Sequence, residues 1–508
     1  MEPFPWWTDE QKKFAEEVEA FATENMPRAE KAFWTRKFPM DIVEEMQKKG
    51  YFGAGVPKKY GGLELGATGC CIAAEQLGRL YAVGHVFVVS MLGGLHQLLH
   101  FGTEEQKEEW LTKIAKGQLG AVCITEPFAG SDAASVWTTA RKEGDEWVIM
   151  GRKRFITGAG PAERYFVYAK TSDDPEVIRK YGHLTAFIVE KGTPGFSLEK
   201  VNELVGFDNV PNAYLNFDDV RVPDFNRIGD VGAGWAVMMS GLNFERLVAS
   251  ALVAGGLDDI IRMVVYYTHR RVQFRQQMNR FVNNQFKIAD MITMNKLARL
   301  VTYYTAMLLD SGQEAAVEAS IAKLLNTDYA IQTGLEAVQI MGGDGLTKFY
   351  PVERLVREGK IGQIVAGTNE IQRLIIYRTG ALKYMDTPFR LRIDPDLEVP
   401  ILSLEDSPWK GKEITEEVML KILAEDYRSN PGLYMTIEDI QKETGLDKDK
   451  ILELITALEE KNLVVTFKDR RGNVIMAKAN YEGLRKAYPP EHYRWFPDWF
   501  DPEELGFF

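Results

Sequence analysis

The segment Ile124-Thr125-Glu126-Pro127-Phe128-Ala129-Gly130-Ser131-Asp132 combines a β-strand pattern with a turn of small residues. In such a turn, backbone N–H groups and a hydroxyl stay open to a bound cofactor. A later run, Phe155-Ile156-Thr157-Gly158-Ala159-Gly160, offers a ring and a hydroxyl that suit a planar cofactor. Each segment alone also fits an ordinary strand end, with a core phenylalanine beside a capping threonine. Together they indicate a β domain with a candidate cofactor site in the first half of the chain.

The pattern of apolar residues changes on both sides of these segments. Residues 1–119 carry apolar side chains at helical spacing, for example Phe14 and Phe21. Residues 120–230 alternate short β-branched and aromatic runs with turns, which is typical of a small β domain. Residues 231–387 return to long amphipathic patterns with few prolines, which predict a helical bundle. The sequence therefore predicts a mainly α protein with a central β domain.

The remainder of the chain forms a separate tail. Residues 388–412 are rich in Pro and Asp and are predicted to be a linker, and residues 413–508 show a winged-helix pattern. The predicted elements are helices Glu416–Asp426, Ile437–Thr444 and Lys448–Glu460 and strands Leu463–Lys468 and Val474–Ala477. The ending, Tyr493–Phe500, is rich in interface-type aromatic residues. It fits a protein contact and a strap over its own domain equally well.

Composition narrows the class of protein. The 508 residues include 61 basic and 73 acidic side chains, a net charge of -12 that repels nucleic-acid phosphates and anionic lipids. We therefore expect no nucleic-acid partner and no membrane insertion. Three cysteines form neither a disulfide framework nor metal-ligand spacing, and no metal site is expected. The first residues show no signal peptide, so a cytoplasmic location is expected.

The two central segments, together with three later ones, resemble the ordered motifs of the acyl-CoA dehydrogenase family. The later segments are Arg271-Val272-Gln273-Phe274, Gln339-Ile340-Met341-Gly342-Gly343-Asp344-Gly345 and Ala366-Gly367-Thr368-Asn369-Glu370-Ile371-Gln372. The resemblance covers residues 8–384. It implies an N-terminal helical domain, a middle β-barrel-like domain, a C-terminal four-helix bundle and FAD as the cofactor.

Carried over by position, the resemblance assigns the FAD contacts. They are Thr125, Ser131, Phe155 and Thr157 at the flavin or diphosphate, Arg271, Phe274, Gln339 and Gly343 at the FAD of an adjacent subunit, and Thr368 and Glu370 closing the site. A cofactor shared between chains implies a homo-oligomer, at least a dimer and commonly a dimer of dimers. Phe155 replaces the usual tryptophan, and Arg275 replaces a glycine.

The catalytic base requires a separate argument. Removing an α-proton requires a carboxylate, and the thioester oxygen requires hydrogen-bond donors. Most family members supply the carboxylate from a Tyr-Glu-Gly-Thr segment, but Val365 and Ala366 occupy those two positions here. Residues 239–248 resemble instead the helix that carries the glutamate in the isovaleryl-CoA dehydrogenase-like branch, which makes Glu245 the candidate base. The Glu245-Arg246 pair also fits a solvent-exposed pair near a helix start.

The resemblance implies which residues meet the substrate and what the reaction is. The acyl-CoA contacts would be Ser131, Asn243, Arg246, Ala366 and Gly367. The implied reaction is FAD-dependent oxidation of an acyl-CoA to the trans-2-enoyl-CoA, with electrons passing to an electron-transfer flavoprotein. Because the stretch Phe87–Leu99 is mainly apolar and Val365 is small, an apolar, branched or cyclic acyl group is expected.

Two alternative functions remain open at this point. An acyl-CoA oxidase differs only in passing electrons to oxygen, which the sequence does not reveal. A flavin-containing protein that binds nucleic acid through its winged helix is the second alternative. The acidic character of the would-be recognition helix, Lys448–Glu460, argues against it.

Overall fold

The computed structural model describes residues 2–385, 390–394, 396–397 and 399–489. The chain divides into two compact units, residues 1–381 and residues 382–508. The first unit contains two large apolar cores, one mainly among its N-terminal helices and one in its sheet, and the second unit has a core of its own. The aromatic ending Tyr493–Phe500 lies outside the described residues.

Six helices build the N-terminal part of the first unit. They are α1 (Asp9–Trp34), α2 (Met40–Lys48), α3 (Gly66–Leu77), α4 (Ala82–Leu92), α5 (Leu95–Phe101) and α6 (Glu104–Ala115). Capping boxes begin α1 and α6, where the Thr8 and Thr103 hydroxyls accept hydrogen bonds from the amides of Gln11 and Gln106. Helix α3 is almost wholly buried at the centre of this part.

The segment Phe87–Leu99 is interrupted at two glycines between α4 and α5. Gly94 has a φ of 137°, which other residues rarely adopt, and a Cβ on Gly93 would lie 3.0 Å from the Ala121 nitrogen. Glycine therefore allows the sheet to approach the helix break closely. By length and composition, Ala82–Phe101 is apolar enough to cross a membrane, but 78% of this stretch is buried inside the protein. Core packing explains its apolar character.

An eight-stranded sheet follows in the chain. Its strands are β1 (Gly120–Cys123), β2 (Thr139–Glu143), β3 (Glu146–Thr157), β4 (Arg164–Lys170), β5 (Leu184–Glu190), β6 (Phe196–Val201), β7 (Asn212–Pro223) and β8 (Arg227–Ile228), with α7 (Pro175–Arg179) between β4 and β5. The strand order is β6-β7-β3-β2-β4-β5-β8, and β1 pairs in parallel with β4. The register of β3 against β7 shifts between Lys153 and Ile156.

A helical bundle completes the first unit. Its elements are α8 (Gly234–Arg270), the hairpin β9 (Val272–Gln273) and β10 (Gln276–Gln277), α9 (Val282–Asp310), α10 (Ala316–Met341), α11 (Val352–Gly362) and α12 (Asn369–Ile375). Helices α8, α9 and α10 pack against one another through apolar side chains. The predicted order of helices, β domain and helical bundle is confirmed.

The second unit combines short helices and strands. They are α13 (Leu382–Met385), β11 (Arg390–Ile393), β12 (Pro400–Ser403), α14 (Glu416–Ser429), β13 (Met435–Thr436), α15 (Ile437–Thr444), α16 (Lys448–Glu460), β14 (Val464–Lys468), β15 (Val474–Ala479) and α17 (Tyr481–Ala487). A three-stranded sheet has the order β13-β15-β14. Three helices and a hairpin lie where the sequence placed them, and the winged-helix assignment stays a prediction.

The expected linker, residues 388–412, contains a two-stranded hairpin, β11 paired with β12. Side chains distant in sequence hold this hairpin. Arg392 lies 3.2 Å from the carboxylate of Glu443 on α15, and Arg390 lies 3.6 Å from the same carboxylate. The Pro and Asp content of this stretch predicted a linker. The ion pairs that hold the hairpin join residues far apart in the sequence, so they leave no local pattern that would predict it.

Candidate active site

Helix α8 carries Glu245 in the lining of a narrow, mainly apolar cavity. The cavity is lined by Leu92, Gln97, Val122, Ile124, Tyr168, Met238, Gly241, Leu242 and Glu245. A Cβ on Gly241 would lie 2.3 Å from the Gln97 amide nitrogen, so glycine is needed for α8 and α5 to approach this closely. Ile124 is the residue before Thr125. The cavity therefore brings the candidate base close to the start of the candidate cofactor-binding turn.

The environment of Glu245 suits proton abstraction near neutral pH. Burial among apolar side chains raises the pKa of Glu245 to about 7, against the opposing effect of the Arg246 and Lys323 cations. The adjacent Arg246 is only 2% exposed. Glu245 and Arg246 are therefore not the solvent-exposed pair that their sequence also allowed.

Arg246 connects α8 to the loop before α12. Its Nε donates to the carbonyl oxygen of Ala366 at 3.2 Å, and its Nη1 donates to the Asn243 side chain at 2.8 Å. Burial lowers the pKa of Arg246 to about 10, while the neighbouring Glu245 opposes the shift. Four of the predicted substrate contacts, Asn243, Arg246, Ala366 and Gly367, are thus brought together beside Glu245.

The loop from Ala366 to Thr368 has an unusual backbone. Ala366 has a φ of 56° and Gly367 a φ of 86°, both in the left-handed region. Gln372 donates to the Gly367 carbonyl at 2.7 Å, and the Thr368 hydroxyl caps α12 by accepting from the amide of Ile371. Side-chain contacts from several helices therefore hold a strained turn in place.

Lys323 on α10 is a site residue that the sequence reasoning missed. It is 2% exposed, and its ammonium donates to the Gly367 carbonyl at 3.0 Å and to the Asn369 side chain at 2.8 Å. Burial and the nearby Arg246 lower the pKa of Lys323 to about 7, against the effect of Glu245. A lysine within an apolar helix pattern was the available signal.

A buried ion pair holds the turn after β1. The Glu126 carboxylate accepts hydrogen bonds from the amides of Trp137 at 2.5 Å and Thr138 at 3.0 Å, and from the Lys153 ammonium at 2.7 Å. Burial works to raise the pKa of Glu126, but Lys153 and the donated bonds hold it below its usual value. The sequence reasoning overlooked this role for both residues, although a lysine in a buried strand was a visible signal.

Phe155 and Thr157 lie beside that turn on β3. The Arg154 amide donates to the Thr125 carbonyl at 2.7 Å, which ties the two segments together. Phe155 lies at the irregularity of β3, with a φ of 59° and a ring that is 44% exposed. The Thr157 hydroxyl accepts from Asn212 at 3.0 Å.

The β-domain site can accommodate a planar cofactor. It offers an open aromatic ring at Phe155, partly buried hydroxyls at Thr125 and Thr157, and an exposed turn at Ser131. A Cβ on Gly130 would meet nothing within 4 Å, so the approach to the turn is open. These residues fit FAD. Among the described residues, no group of three or more His, Cys, Asp or Glu side chains could hold a metal ion.

The remaining predicted FAD contacts lie on the surface of the helical bundle. Phe274 is 90% exposed at the tip of the β9–β10 hairpin, which follows Arg271, and Gln339 and Gly343 are exposed at the end of α10. The Tyr267 hydroxyl donates to Asp344 at 2.6 Å, which links α8 to the loop after α10. Glu370 is exposed at the start of α12.

Acidic partners surround several basic side chains of the C-terminal unit. Lys450 on α16 lies 2.8 Å from Glu453, and Lys468 at the end of β14 lies 3.2 Å from Glu459. Lys461 pairs with Glu416. These ion pairs reduce the charge available for phosphate contacts.

Comparison with protein families matches three successive parts of the chain. Residues 8–118 match the acyl-CoA dehydrogenase N-terminal domain, residues 121–220 the middle domain and residues 232–381 the C-terminal domain. An acyl-CoA dehydrogenase of Bacillus subtilis is 39% identical over 372 residues, which cover 73% of this chain and 97% of that protein.

Two further relatives show the same extent of similarity. The mitochondrial isovaleryl-CoA dehydrogenase of Solanum tuberosum is 37% identical over 375 residues, covering 73% of this chain and 90% of that protein. The solved structure of butyryl-CoA dehydrogenase from Megasphaera elsdenii is 34% identical, with a TM-score of 0.71, over 75% of this chain and 100% of that one.

Proposed function

The chain belongs to the acyl-CoA dehydrogenase family, and from that premise we propose that Glu245 is the base that removes the α-proton of the acyl-CoA. The observation that carries the proposal is the position of Glu245 in an apolar cavity beside the cofactor-binding turn, with its pKa raised to about 7. Ala366, at the position usual for the base, has no ionisable group. A carboxylate that titrates near working pH is well matched to general-base catalysis.

The overall reaction follows from the family. The enzyme is an FAD-dependent oxidoreductase that dehydrogenates acyl-CoA thioesters. When bound, FAD supplies the acceptor for the β-hydrogen and its electron pair. Glu245 takes the α-proton, the Cα–Cβ bond becomes a double bond, and trans-2-enoyl-CoA is the proposed product.

The loop at Ala366 supports proton removal through its backbone. As the α-proton leaves, negative charge develops on the thioester oxygen, and an N–H group aimed there stabilises it. The Ala366 amide needs no side chain for this role. Arg246 and Lys323 hold the carbonyls of Ala366 and Gly367, and so fix the direction of the loop.

Anaerobic flavin bleaching tests the proposed base. With a panel of straight, branched and cyclic acyl-CoAs, the rate of flavin reduction should rise with pH through about 7 because Glu245 must be ionised to act. A rate that is flat from pH 6 to 8 would contradict the assignment. In aerated solution, rapid peroxide formation would identify an acyl-CoA oxidase instead.

The exposed bundle surface supports a homo-oligomer. Phe274 is 90% exposed, and the other residues assigned to the FAD of an adjacent subunit, Arg271, Gln339 and Gly343, are exposed on the bundle as well. We place this surface against the FAD of a second subunit, in a dimer or a dimer of dimers. Phe274→Asp should then weaken both subunit association and FAD retention, measured by native mass spectrometry and by flavin absorbance after gel filtration.

An electron-transfer flavoprotein is the proposed electron acceptor, and the cytoplasm is the proposed location. Phe128 and Trp137 support a redox partner, since their exposed rings stack at 4.7 Å next to the cofactor-binding turn. Phe128→Ser should slow electron transfer to that flavoprotein while leaving flavin reduction by acyl-CoA unchanged.

A further inference from the structure

Gln97 is a polar residue in the otherwise mainly apolar cavity beside Glu245. Its side chain is 1% exposed, and its Nε2 donates to the Leu92 carbonyl at 2.9 Å. Its Oε1 has no hydrogen-bond partner among the described residues. A buried acceptor without a donor costs free energy, which a donor brought by a ligand would recover.

The orientation of this amide is constrained on its nitrogen side. Nε2 is held by the Leu92 carbonyl, and the glycine at position 241 leaves it packed directly against α8. Burial raises the pKa of the Tyr168 phenol, and a side-chain hydrogen bond with Gln97 partly opposes that shift. With its nitrogen committed to the protein, the amide has its oxygen free as an acceptor.

We infer that the cavity selects acyl groups that carry a hydroxyl on Cγ or beyond, with Gln97 Oε1 accepting its hydrogen bond. The inference rests on the proposed function. The hydroxyl lies beyond Cβ because Cα must face Glu245 and Cβ must give up its hydrogen. The substrate group that donates to Gln97 is inferred to be an uncharged hydroxyl rather than a cation, because Arg246 and Lys323 already place positive charge beside Glu245.

This inference changes the expected substrate class. The mainly apolar stretch Phe87–Leu99 predicted an apolar acyl group, but that reasoning gave no weight to Gln97. A site built to bond a substrate hydroxyl rejects the analogue that lacks it, because the buried acceptor is then left unpaired. A purely apolar pocket discriminates far less.

Matched pairs of acyl-CoAs test the inference on the FAD-loaded enzyme. The pairs are pentanoyl-CoA with 5-hydroxypentanoyl-CoA and hexanoyl-CoA with 6-hydroxyhexanoyl-CoA, each followed by anaerobic stopped-flow flavin reduction. In the wild type, at least one hydroxylated member should be preferred by about tenfold or more, on the scale of one hydrogen bond. The preference is a ratio within one protein, so differences in stability between variants do not affect it.

Three substitutions distinguish the contribution of Gln97 from that of the neighbouring Tyr168. Gln97→Leu should abolish or reverse the preference by slowing the hydroxylated substrate and speeding the other, and Gln97→Met should do the same with an unbranched chain. Tyr168→Phe should keep the preference because Gln97 remains.

Four outcomes would overturn the inference. One is a wild type that reduces its flavin with both members of each pair at equal rates. Another is a preference that survives Gln97→Leu or that disappears with Tyr168→Phe alone. If no acyl-CoA reduces the flavin at all, the proposed function fails and this inference fails with it.

Discussion

Glu245 on α8 and Ala366 on the loop before α12 are the two places from which, in the proposed mechanism, a base could act on the substrate. Arg246 ties them together through its bond to the Ala366 carbonyl. On α8, the Glu245 carboxylate lies in an apolar setting. At Ala366, the only polar groups are those of the backbone. The loop nevertheless keeps its left-handed turn at Ala366, which costs an L-residue about 1–2 kcal/mol. In the proposed mechanism, the base lies on α8 while the backbone amide at Ala366 keeps its role.

The largest loss of activity is expected when the carboxylate is removed from α8. Glu245→Gln should leave FAD bound and lower the rate of flavin reduction by about 10²–10⁴-fold, the usual range for a general base. Anaerobic stopped-flow absorbance measures both. Flavin reduction at a near-normal rate would show that the proton leaves by another route.

A matched control for that variant is Glu358→Gln on α11. Burial raises the pKa of Glu358 to about 7, as it does for Glu245, but Glu358 lies outside the cavity. Both raised values lie above the unfolded value of 4.5, so each carboxyl favours folding at low pH and loses that contribution as pH rises through about 7. Both substitutions should therefore raise the thermal midpoint more at pH 8 than at pH 4, but only Glu245→Gln should abolish catalysis.

A second test moves the carboxylate from α8 to the loop, and asks whether a base at Ala366 can replace the one at Glu245. In the Glu245→Gln background, Ala366→Glu should restore flavin reduction by about tenfold to a hundredfold, a partial recovery of the general-base contribution. Recovery is incomplete because the new side chain has no cavity shaped around it. The double variant is compared with Glu245→Gln alone in the same stopped-flow assay. No recovery, with FAD still bound, would mean that the two positions do not reach the same atom.

Lys323 acts on both Glu245 and the loop that contains Ala366. Replacing it is expected to lower activity less than replacing Glu245. Its ammonium lowers the pKa of Glu245 and donates to the Gly367 carbonyl. Lys323→Met should shift the rising limb of the pH profile to higher pH and reduce kcat/KM about tenfold below pH 7, where the lysine is charged and its hydrogen bond contributes roughly 1.5–3 kcal/mol. Lys323→Gln is the matched control because it keeps a donor without the charge. It should shift the limb equally but lose less activity above pH 8.

The sequence predicted the order of domains because helical and strand periodicities are local. It also identified the candidate cofactor-binding turn and Glu245 as the candidate base, through segments that resemble a family. It marked Lys323 and Lys153 only as lysines within apolar patterns, and their roles did not follow because each acts through contacts with residues distant in the chain. The hairpin within the expected linker escaped prediction for the same reason.

The smallest predicted effect distinguishes a strained turn that serves catalysis from one that does not. Ala366 and Arg275 both have positive φ values, 56° and 64°, and Arg275 lies at the tip of the β9–β10 hairpin. Glycine at either position should stabilise the protein by roughly 0.5–1 kcal/mol by relieving that strain. Arg275→Gly should change only the thermal midpoint. Ala366→Gly should also slow flavin reduction by about two- to fivefold, because a freer loop aims its amide less firmly at the thioester oxygen. Equal activity in the two variants would show that the conformation at Ala366 contributes nothing to the reaction.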